Sequence, residues 1–205
     1  MIDTELRILI ADDVDLVAEA FEALLATEPG LTVVARVGRG DLVAAAVAEH
    51  HPDVAILDVS MPGATGIEAA AEVSKADPHC KVLLLTALEG SGHLHRALAA
   101  GASGYVLKST SAARLIEAVR KVAAGGTVID PDLAADALRT GQSPLTDRET
   151  EILRLVAEGM TTDRMARQLF LTRGTLRNYL SNAMAKLKAD TRTEAFIKAE
   201  RQGWL

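Results

Sequence analysis

The sequence predicts a doubly wound α/β domain, built on a five-stranded parallel sheet, followed by a small all-helical domain. Over the first 124 residues, five short runs rich in Val, Ile and Leu alternate with five segments of helical spacing, which is typical of a parallel sheet with right-handed crossovers. Beyond them, helical patterns follow a short linker. Residues 1–140 hold 11 basic and 20 acidic side chains, whereas residues 141–205 hold 11 and 8. This charge asymmetry indicates two domains with different partners.

Five apolar runs are predicted as strands buried on both faces, because their β-branched and leucine side chains do not alternate with polar ones. In chain order they are Leu6–Ala11, Leu31–Ala35, Val54–Leu57, Val82–Leu85 and Gly104–Leu107. The segments between them have Ala-rich faces opposite charged ones, which suits helices that pack flat on a sheet. These predicted helices are Val14–Thr27, Gly40–His51, Gly66–Ala76, Glu89–Ala100 and Ser111–Ala124.

The remaining chain divides into a linker and a helical domain. A Gly-Gly pair at 125–126 ends the last helix of the sheet domain. Thr146 and Glu149 form a capping box that begins the first helix of the second domain. Further helical segments are Pro131–Leu138 in the linker and then Asp163–Leu169, Arg173–Lys188 and Thr193–Gln202. The predicted domains are residues 5–124 and 144–205, joined by a linker over residues 125–143.

Polar side chains follow the predicted strands at the edge of the sheet where ligands bind in such folds. They are Asp12 and Asp13 after the first strand, Asp58 after the third, Thr86 after the fourth and Lys108 after the fifth. Converging carboxylates repel one another unless a cation neutralises them, and oxygen ligands favour Mg²⁺ or Mn²⁺. Asp12 and Asp13 could instead cap the first helix, but the complete set in this order favours a binding site.

The same residue types fit phosphoryl chemistry. A carboxylate beside such a metal ion can attack phosphorus and form an aspartyl phosphate. Lys108 would then pair with one phosphoryl oxygen, and the Thr86 hydroxyl could bond another. Phosphorylation adds about 1.5 to 2 negative charges and three acceptor oxygens, which bias a two-state loop or helix face.

Residues 5–124 resemble the receiver domain of bacterial two-component response regulators, which has a flavodoxin-like fold. The matching residues are Asp12-Asp13, Asp58 within the run D-V-S-M-P-G-A-T-G, Thr86-Ala87, and Tyr105 three residues before Lys108. The resemblance implies that Asp58 accepts phosphate from a sensor histidine kinase and that Asp12 and Asp13 help to hold Mg²⁺. It also implies direct metal ligation by Asp13, Asp58 and the backbone carbonyl of Ser60.

A conformational switch is the second implication of this resemblance. In the family, a hydroxyl at the position of Thr86 moves to the phosphoryl group while an aromatic side chain at the position of Tyr105 turns inward. The alternative for Tyr105 is a static core tyrosine.

The third predicted helix of the C-terminal domain has one apolar and one polar face. Its apolar stripe comprises Leu176, Tyr179, Leu180, Ala183 and Leu187. Its polar face comprises Arg173, Gly174, Arg177, Asn178, Ser181 and Lys188, joined by Met184 and Ala185. Small residues make the polar face slim, which suits a helix that enters a DNA major groove about 12 Å wide. With its neighbours it predicts a helix-turn-helix. The alternative is a solvated face on an ordinary bundle helix.

Residues 144–205 resemble the LuxR-type helix-turn-helix, and the whole chain resembles response regulators of the NarL/FixJ class. The match runs through L-T-D-R-E-T-E-I-L-R-L-V-A-E-G-M (Leu145–Met160), M-A-R-Q-L-F-L-T-R-G-T-L-R-N-Y-L (Met165–Leu180) and K-L-K-A-D-T-R-T-E-A (Lys186–Ala195). The chain departs from the family pattern at three positions: Arg177 replaces the usual lysine, Tyr179 the usual histidine and Lys188 a common glycine.

The predicted function is a phosphorylation-controlled transcriptional regulator, not an enzyme apart from slow self-dephosphorylation. Phosphorylation of Asp58 by a sensor histidine kinase is expected to promote homodimerisation, so that two third helices bind operator DNA. The predicted contacts to base edges are Arg173, Arg177 and Asn178, with Ser181 on the same face. Those nearer the DNA backbone are Thr172, Thr175, Lys186 and Lys188.

Two alternative functions follow from the same residues. A Mg²⁺-dependent phosphatase with an aspartyl intermediate carries a D-x-D motif, which Asp13-Val14-Asp15 matches. However, such enzymes also place a late acidic pair at the end of a further strand, where this sequence offers none. The second alternative is a phosphorylation-switched module whose helical domain binds a protein instead of DNA.

Composition excludes several other classes. No uncharged apolar run approaches the roughly 18–20 residues that span a bilayer, and the N-terminus carries acids where a signal peptide needs a basic region. The single cysteine, Cys80, excludes an intramolecular disulfide and a multi-cysteine zinc site. We therefore expect a cytoplasmic protein without a membrane partner.

Overall fold

The computed structural model describes residues 5–87, 92–140 and 143–205, and the chain divides into two compact units. The first unit contains the strands and the helices packed on them, and the second contains the four C-terminal helices. The predicted fold class, a doubly wound parallel α/β sheet followed by a helical domain, is confirmed. Within these described ranges, no helix has the length and apolar character needed to cross a membrane.

The sheet of the first unit has six parallel strands. They are β1 (Leu6–Ala11), β2 (Leu31–Val37), β3 (Val54–Asp58), β4 (Lys81–Thr86), β5 (Gly104–Leu107) and β6 (Val128–Ile129). Their order across the sheet is β2-β1-β3-β4-β5-β6, so the direction of winding reverses beside β1 and β3. These two strands pair with Ala11 opposite Leu57. The residues that follow β1 and β3 therefore lie at the carboxyl edge beside the switch point, where open α/β sheets bind ligands.

Each of the first five strands is followed by a helix, so that the fifth helix lies between β5 and β6. These helices are α1 (Asp15–Ala26), α2 (Val43–His50), α3 (Gly66–Ala76), α4 (Gly92–Ala99) and α5 (Ala112–Ala123). Fully buried apolar side chains of the sheet, including Ile8, Ile10 and Ile56, pack in one cluster with Leu115 and Val119 of α5. Burial of apolar surface stabilises the fold by roughly 25 cal/mol per Å². This packed cluster therefore holds the strands, and the starts of the loops that leave them, in place.

The linker contains more structure than the sequence predicts. Helix α6 (Pro131–Thr140) covers the predicted segment, but β6 precedes it and adds a sixth strand to the expected five. The amides of Val128 and Asp130 donate to the carbonyl oxygens of Ser103 and Tyr105, each over 3.0 Å. A two-residue strand has too short an apolar pattern to be recognised in the sequence. It forms because it supplies hydrogen-bond partners to backbone groups at the otherwise unpaired edge of β5.

Smaller differences occur where helices begin. A 3₁₀ turn at Gly40–Leu42 precedes α2, so the predicted helix Gly40–His51 is divided. The predicted helix Glu89–Ala100 corresponds to α4, and its residues 89–91 lie outside the described part of the chain. Asp12 and Asp13 do not cap α1, because Val14 is the cap residue and Asp12 Oδ1 accepts from the Val14 amide at 3.0 Å. The carboxylates after β1 thus remain available for the other predicted role.

The second unit is a four-helix arrangement with its own core. Its helices are α7 (Asp147–Ala157), α8 (Thr162–Gln168), α9 (Arg173–Leu187) and α10 (Arg192–Arg201). All four contribute to a core that includes Ile152, Met165, Leu176, Leu180 and Ala195. The predicted capping box at the start of α7 is present, with both reciprocal hydrogen bonds between Thr146 and Glu149. This packing holds α9 with one face turned inward and the other outward.

Candidate functional site

Three carboxylates meet at the switch point of the sheet, where the sequence predicts them. Asp12 and Asp13 directly follow β1, and Asp58 is the last residue of β3. Each offers a carboxylate oxygen, and these oxygens all lie within 4.8 Å of one another. Asp12 and Asp58 are 3% and 7% exposed, whereas Asp13 is open to solvent. The neighbouring strands β1 and β3 create this cluster by ending side by side.

Lys108 is the cation that the structure brings to this cluster. Its amide donates to the carbonyl of Thr86 over 2.7 Å, which continues the pairing of β5 with β4. Its Nζ atom lies 2.7 Å from Asp12 Oδ2 and 3.1 Å from Asp58 Oδ1. Burial by itself would lower the pKa of Lys108, but these two carboxylates outweigh burial and raise that pKa above its usual value. The lysine therefore stays charged beside the pocket.

Asp58, the buried last residue of β3, has a pKa above its ordinary value. Burial raises the pKa of Asp58, and the neighbouring Asp12 charge adds to this rise, while Lys108 and the Ser60 backbone act against it. One ammonium beside three carboxylates leaves the cluster with excess negative charge. An all-oxygen donor set of this charge, with one carboxylate open to water, fits a hard divalent cation such as Mg²⁺ or Mn²⁺.

The loop after Asp58 is fixed by a close backbone approach. The Gly66 amide donates to the Val59 carbonyl over 3.0 Å, and a Cβ atom on Gly66 would lie 2.1 Å from the Asp58 carbonyl oxygen. Real Cβ atoms do not approach an oxygen this closely, so this position requires glycine. Thr65 begins α3 with a capping box to Glu68. Together these contacts hold the backbone of Asp58 against the start of α3.

Gly40 is a positioning residue that sequence analysis did not identify. Its amide donates to the Pro62 carbonyl over 3.1 Å, and a Cβ atom there would lie 1.9 Å from the Ala64 carbonyl oxygen. The segment after β2 therefore packs directly on the loop that follows Asp58. This contact joins residues distant in sequence, and no local pattern marks it.

Thr86 and Tyr105 lie on the same face of adjacent strands. Leu84 is opposite Tyr105 in the pairing of β4 with β5, and Thr86 is two residues further along β4. Both side chains are buried, Thr86 at 1% and Tyr105 at 0% exposure. Burial raises the pKa of Tyr105 to about 12, and the nearby Thr86 hydroxyl counteracts part of that rise. The Tyr105 hydroxyl forms no hydrogen bond of acceptable length and angle with any of the described residues.

Helix α9 presents the two faces that the sequence predicts, except that Met184, predicted on the polar face, packs against the core of the second unit. Leu176, Leu180, Ala183 and Leu187 are buried in the core of the second unit, and Tyr179 packs against it at intermediate exposure. Thr172 is the N-cap, with its hydroxyl accepting from the Thr175 amide over 3.1 Å. Helix α9 ends at Leu187, one residue before the predicted end, and its C-cap residue Lys188 adopts the left-handed conformation (φ +49°) that the glycine usual at this position would favour.

The predicted DNA contacts on α9 differ in availability. Arg177, Asn178, Ser181 and Lys188 are exposed, and within the described part of the chain the charged groups of Arg177 and Lys188 form no ion pair. Arg173 is different, because its guanidinium makes two short contacts, of 2.6 and 2.7 Å, to the carboxylate of Asp163 on α8. Thr175 pairs its hydroxyl with that of Thr172 at 2.8 Å.

Lys186 forms an ion pair with another helix of the same unit. Its Nζ atom lies 2.7 Å from the Glu149 carboxylate, which is only 3% exposed and also accepts from the Thr146 amide over 2.7 Å. Burial alone would raise the pKa of Glu149, but the hydrogen bonds from Lys186 and Thr146 outweigh it and hold that pKa below its usual value. This ion pair ties the last turn of α9 to the first turn of α7.

We predict that Glu149→Gln removes a pH-dependent part of the stability of the helical unit. Because the folded pKa lies below the unfolded one, the pair stabilises fully above the unfolded value and loses its effect as the pH falls through the folded value. At pH 7 the substitution should cost about 1–2 kcal/mol, because a charge-assisted hydrogen bond is lost beside a half-exposed lysine. Fluorescence of Trp204, the single tryptophan, which packs on this core, can follow the unfolding. Equal acid sensitivity in both proteins would contradict the prediction.

Two sequence families match the chain. The family described as "Response regulator receiver domain" matches residues 8–120, more than half of the chain. The family described as "Bacterial regulatory proteins, luxR family" matches residues 143–199. The first match contains the acidic cluster and Lys108, and the second contains α9.

Individual relatives cover nearly the whole chain. The transcriptional regulatory protein DesR of Bacillus subtilis (strain 168) is 39% identical over 199 residues, which are 97% of this chain and 98% of that protein. An uncharacterized transcriptional regulatory protein of the same strain, YvfU, is 40% identical over 98% of this chain and 100% of its own. The crystal structure of the response regulator ChrA of a heme-sensing two-component system matches with a TM-score of 0.59 and 28% identity, over 98% of this chain and 100% of that one.

Proposed function

Because this chain belongs to the LuxR-type response regulators, with a receiver domain and a DNA-binding domain that regulates transcription, we propose that phosphorylation of Asp58 controls its binding to DNA. The observation that carries this proposal is the cluster of Asp12, Asp13 and Asp58, with Lys108 in contact with two of its members. The same chain carries an exposed, basic face on α9.

The phosphoryl group would come from a phosphohistidine of a sensor histidine kinase. An Asp58 carboxylate oxygen forms the new bond to phosphorus while the bond from phosphorus to the histidine nitrogen breaks. Asp13, Asp58 and the Ser60 carbonyl, with help from Asp12, would hold a Mg²⁺ or Mn²⁺ ion, which would supply charge neutralisation for this transfer. Lys108, already 3.1 Å from Asp58 Oδ1, pairs with a phosphoryl oxygen.

The response to phosphorylation would begin at Thr86. Its hydroxyl bonds a phosphoryl oxygen and leaves the neighbourhood of Tyr105, which lies on the same face of the sheet. The Tyr105 side chain is buried, and its hydroxyl has no hydrogen-bond partner of acceptable geometry among the described residues. Because no such bond holds the ring in one position, its packing depends on the space that Thr86 occupies or leaves. This change in the receiver promotes homodimerisation, through a surface of the phosphorylated form.

The DNA-binding step would use the exposed face of α9 from each subunit of the dimer. Arg177 and Asn178 read base edges in the major groove, with Ser181 beside them, and Lys188 contacts a phosphate. Thr172 and Thr175 bring the amides at the start of α9 close to the backbone. Arg173 joins the base contacts by exchanging Asp163 for DNA, whereas Lys186 contributes through its pair with Glu149. Operator binding implies that the protein acts in the cytoplasm.

An electrophoretic mobility shift tests this function directly. The full chain, with and without acetyl phosphate and Mg²⁺, is titrated into promoter fragments at two salt concentrations. We expect the phosphodonor to tighten binding and higher salt to weaken it, because phosphate contacts release counterions. A chain that binds no duplex DNA in either state would refute the proposal and favour a protein partner for the helical domain.

The phosphatase alternative finds less support in the arrangement of the acids. In the D-x-D match Asp13-Val14-Asp15, only Asp13 belongs to the carboxylate cluster. Asp15 is exposed in the first turn of α1. Turnover of a small phosphate ester by the purified chain would revive this alternative.

A further inference from the structure

Phe170, in the turn between α8 and α9, is the most exposed of the large apolar side chains that the structure describes. It is 96% exposed, whereas the next, Leu16, is 76% exposed. Its backbone is left-handed, with φ +53°, a conformation that favours glycine and strains a bulky residue. A glycine would serve the turn better and would avoid exposing a ring to water. The combination of a strained backbone with an exposed ring at this position points to a function outside folding.

The turn around Phe170 is held firmly. Its amide donates to the Arg167 carbonyl over 3.2 Å, and the Leu171 amide donates to the Ala166 carbonyl over 2.9 Å. Leu169 is buried in the helical core and Leu171 packs against it. With both neighbours directed inward, the backbone at Phe170 is held in place and its ring is left in solvent.

The position of the turn identifies what the ring meets. In a helix-turn-helix, the first helix crosses the DNA backbone and the second enters the major groove, so the turn between them passes over the sugar-phosphate chain. On α8, Arg164 and Arg167 are exposed and their guanidinium groups make no ion pair with the described residues. These cations lead into the turn and suit the phosphates on either side of a deoxyribose.

We propose that Phe170 packs on the deoxyribose carbons of the DNA backbone beside the groove that α9 enters. This inference rests on the proposed DNA-binding function and adds to it an apolar contact that is independent of base sequence. Covering about half of the ring should tighten binding about tenfold at each half-site. Since no charge is involved, the contact should leave the salt dependence of binding unchanged.

The test compares Phe170→Gly with the unmodified full chain on two duplexes, one promoter fragment protected by the chain and one random sequence of equal length. We expect Phe170→Gly to weaken binding to both duplexes by about tenfold for each bound subunit. The slope of log affinity against log salt should be the same as for the unmodified chain. Thermal unfolding of the variant should be unaltered or shifted upward, because glycine accepts the left-handed conformation. Leu16→Ala, which removes an exposed apolar side chain from the other unit, is the control and should bind like the unmodified chain.

The possible outcomes separate the inference from the proposed function. If the unmodified chain binds neither duplex, the DNA-binding function itself fails. If it binds and Phe170→Gly binds equally well, the contact is absent, and a loss of transcription in that variant would assign Phe170 to a protein partner instead. Phe170→Leu serves as a second variant, because it keeps an apolar side chain and should retain part of the affinity. If either variant loses affinity only for the promoter fragment and not for the random duplex, the contact is not to the DNA backbone and the inference is overturned.

Discussion

Asp58→Asn should abolish phosphorylation of the purified chain by acetyl phosphate in the presence of Mg²⁺. Asparagine has nearly the same shape as aspartate, but its amide cannot attack phosphorus as a carboxylate does. Asp58 is one of two buried acids, with Asp12, whose carboxylates contact Lys108, the group placed to receive a phosphoryl oxygen. Intact-mass spectrometry of the treated protein measures the added phosphoryl group. We expect a complete loss in the variant and, for the unmodified chain, an equal loss when EDTA removes the divalent cation.

Asp15→Asn is the matched control for this experiment. It makes the same change on an exposed acid two residues from Asp13, outside the carboxylate cluster. Labelling should persist in this variant. Labelling that survives in Asp58→Asn would move the acceptor to another residue, and labelling lost in Asp15→Asn would favour the D-x-D chemistry of a phosphatase.

Arg177→Ala should weaken binding to operator DNA by about 30-fold to about 20,000-fold in a dimer. Arg177 is exposed on the polar face of α9, and its guanidinium forms no ion pair within the described chain, so it can bind DNA without first breaking a contact. An arginine that reads a base contributes about 1–3 kcal/mol, and a dimer makes the contact twice. Quantitative footprinting measures the loss and also shows where sequence preference relaxes.

Arg201→Ala provides the charge-matched control for Arg177. It removes one positive charge from the exposed end of α10 and leaves α9 unchanged. We expect a small effect on affinity and unchanged preference among operator sequences. Protection that stays the same in Arg177→Ala would remove this residue from the DNA interface, and equal losses in both variants would reduce its role to general electrostatics.

Elements of secondary structure were largely predictable because their signals are local. The bounds of β1, β5 and α3 agree residue for residue with the apolar runs and helical spacing that predicted them. The capping box of Thr146 and Glu149 also forms as expected. The sixth strand was missed because two residues carry too little pattern, and its formation depends on the free edge of β5.

The site residues divide in the same way. That Asp12, Asp13 and Asp58 lie at one edge of the sheet follows from the order of elements, because parallel strands place their carboxyl ends at the same edge. That β1 and β3 are neighbours was decided by the sheet itself. The amphipathic pattern of α9 likewise predicted which residues face outward. Which of those are free was beyond the sequence, because the partners of Arg173 and Lys186 lie on other helices.

The sequence by itself determined the two domains, the acids beside the sheet and the amphipathic helix of the second unit, because spacing and residue type act over a few turns or one strand. The tertiary structure alone decided that Gly66 must lack a side chain, that Lys186 is bound to Glu149, and that Phe170 is left outside the core. These properties depend on distances between segments that are remote in the chain. Such distances are fixed only when the strands and helices pack together.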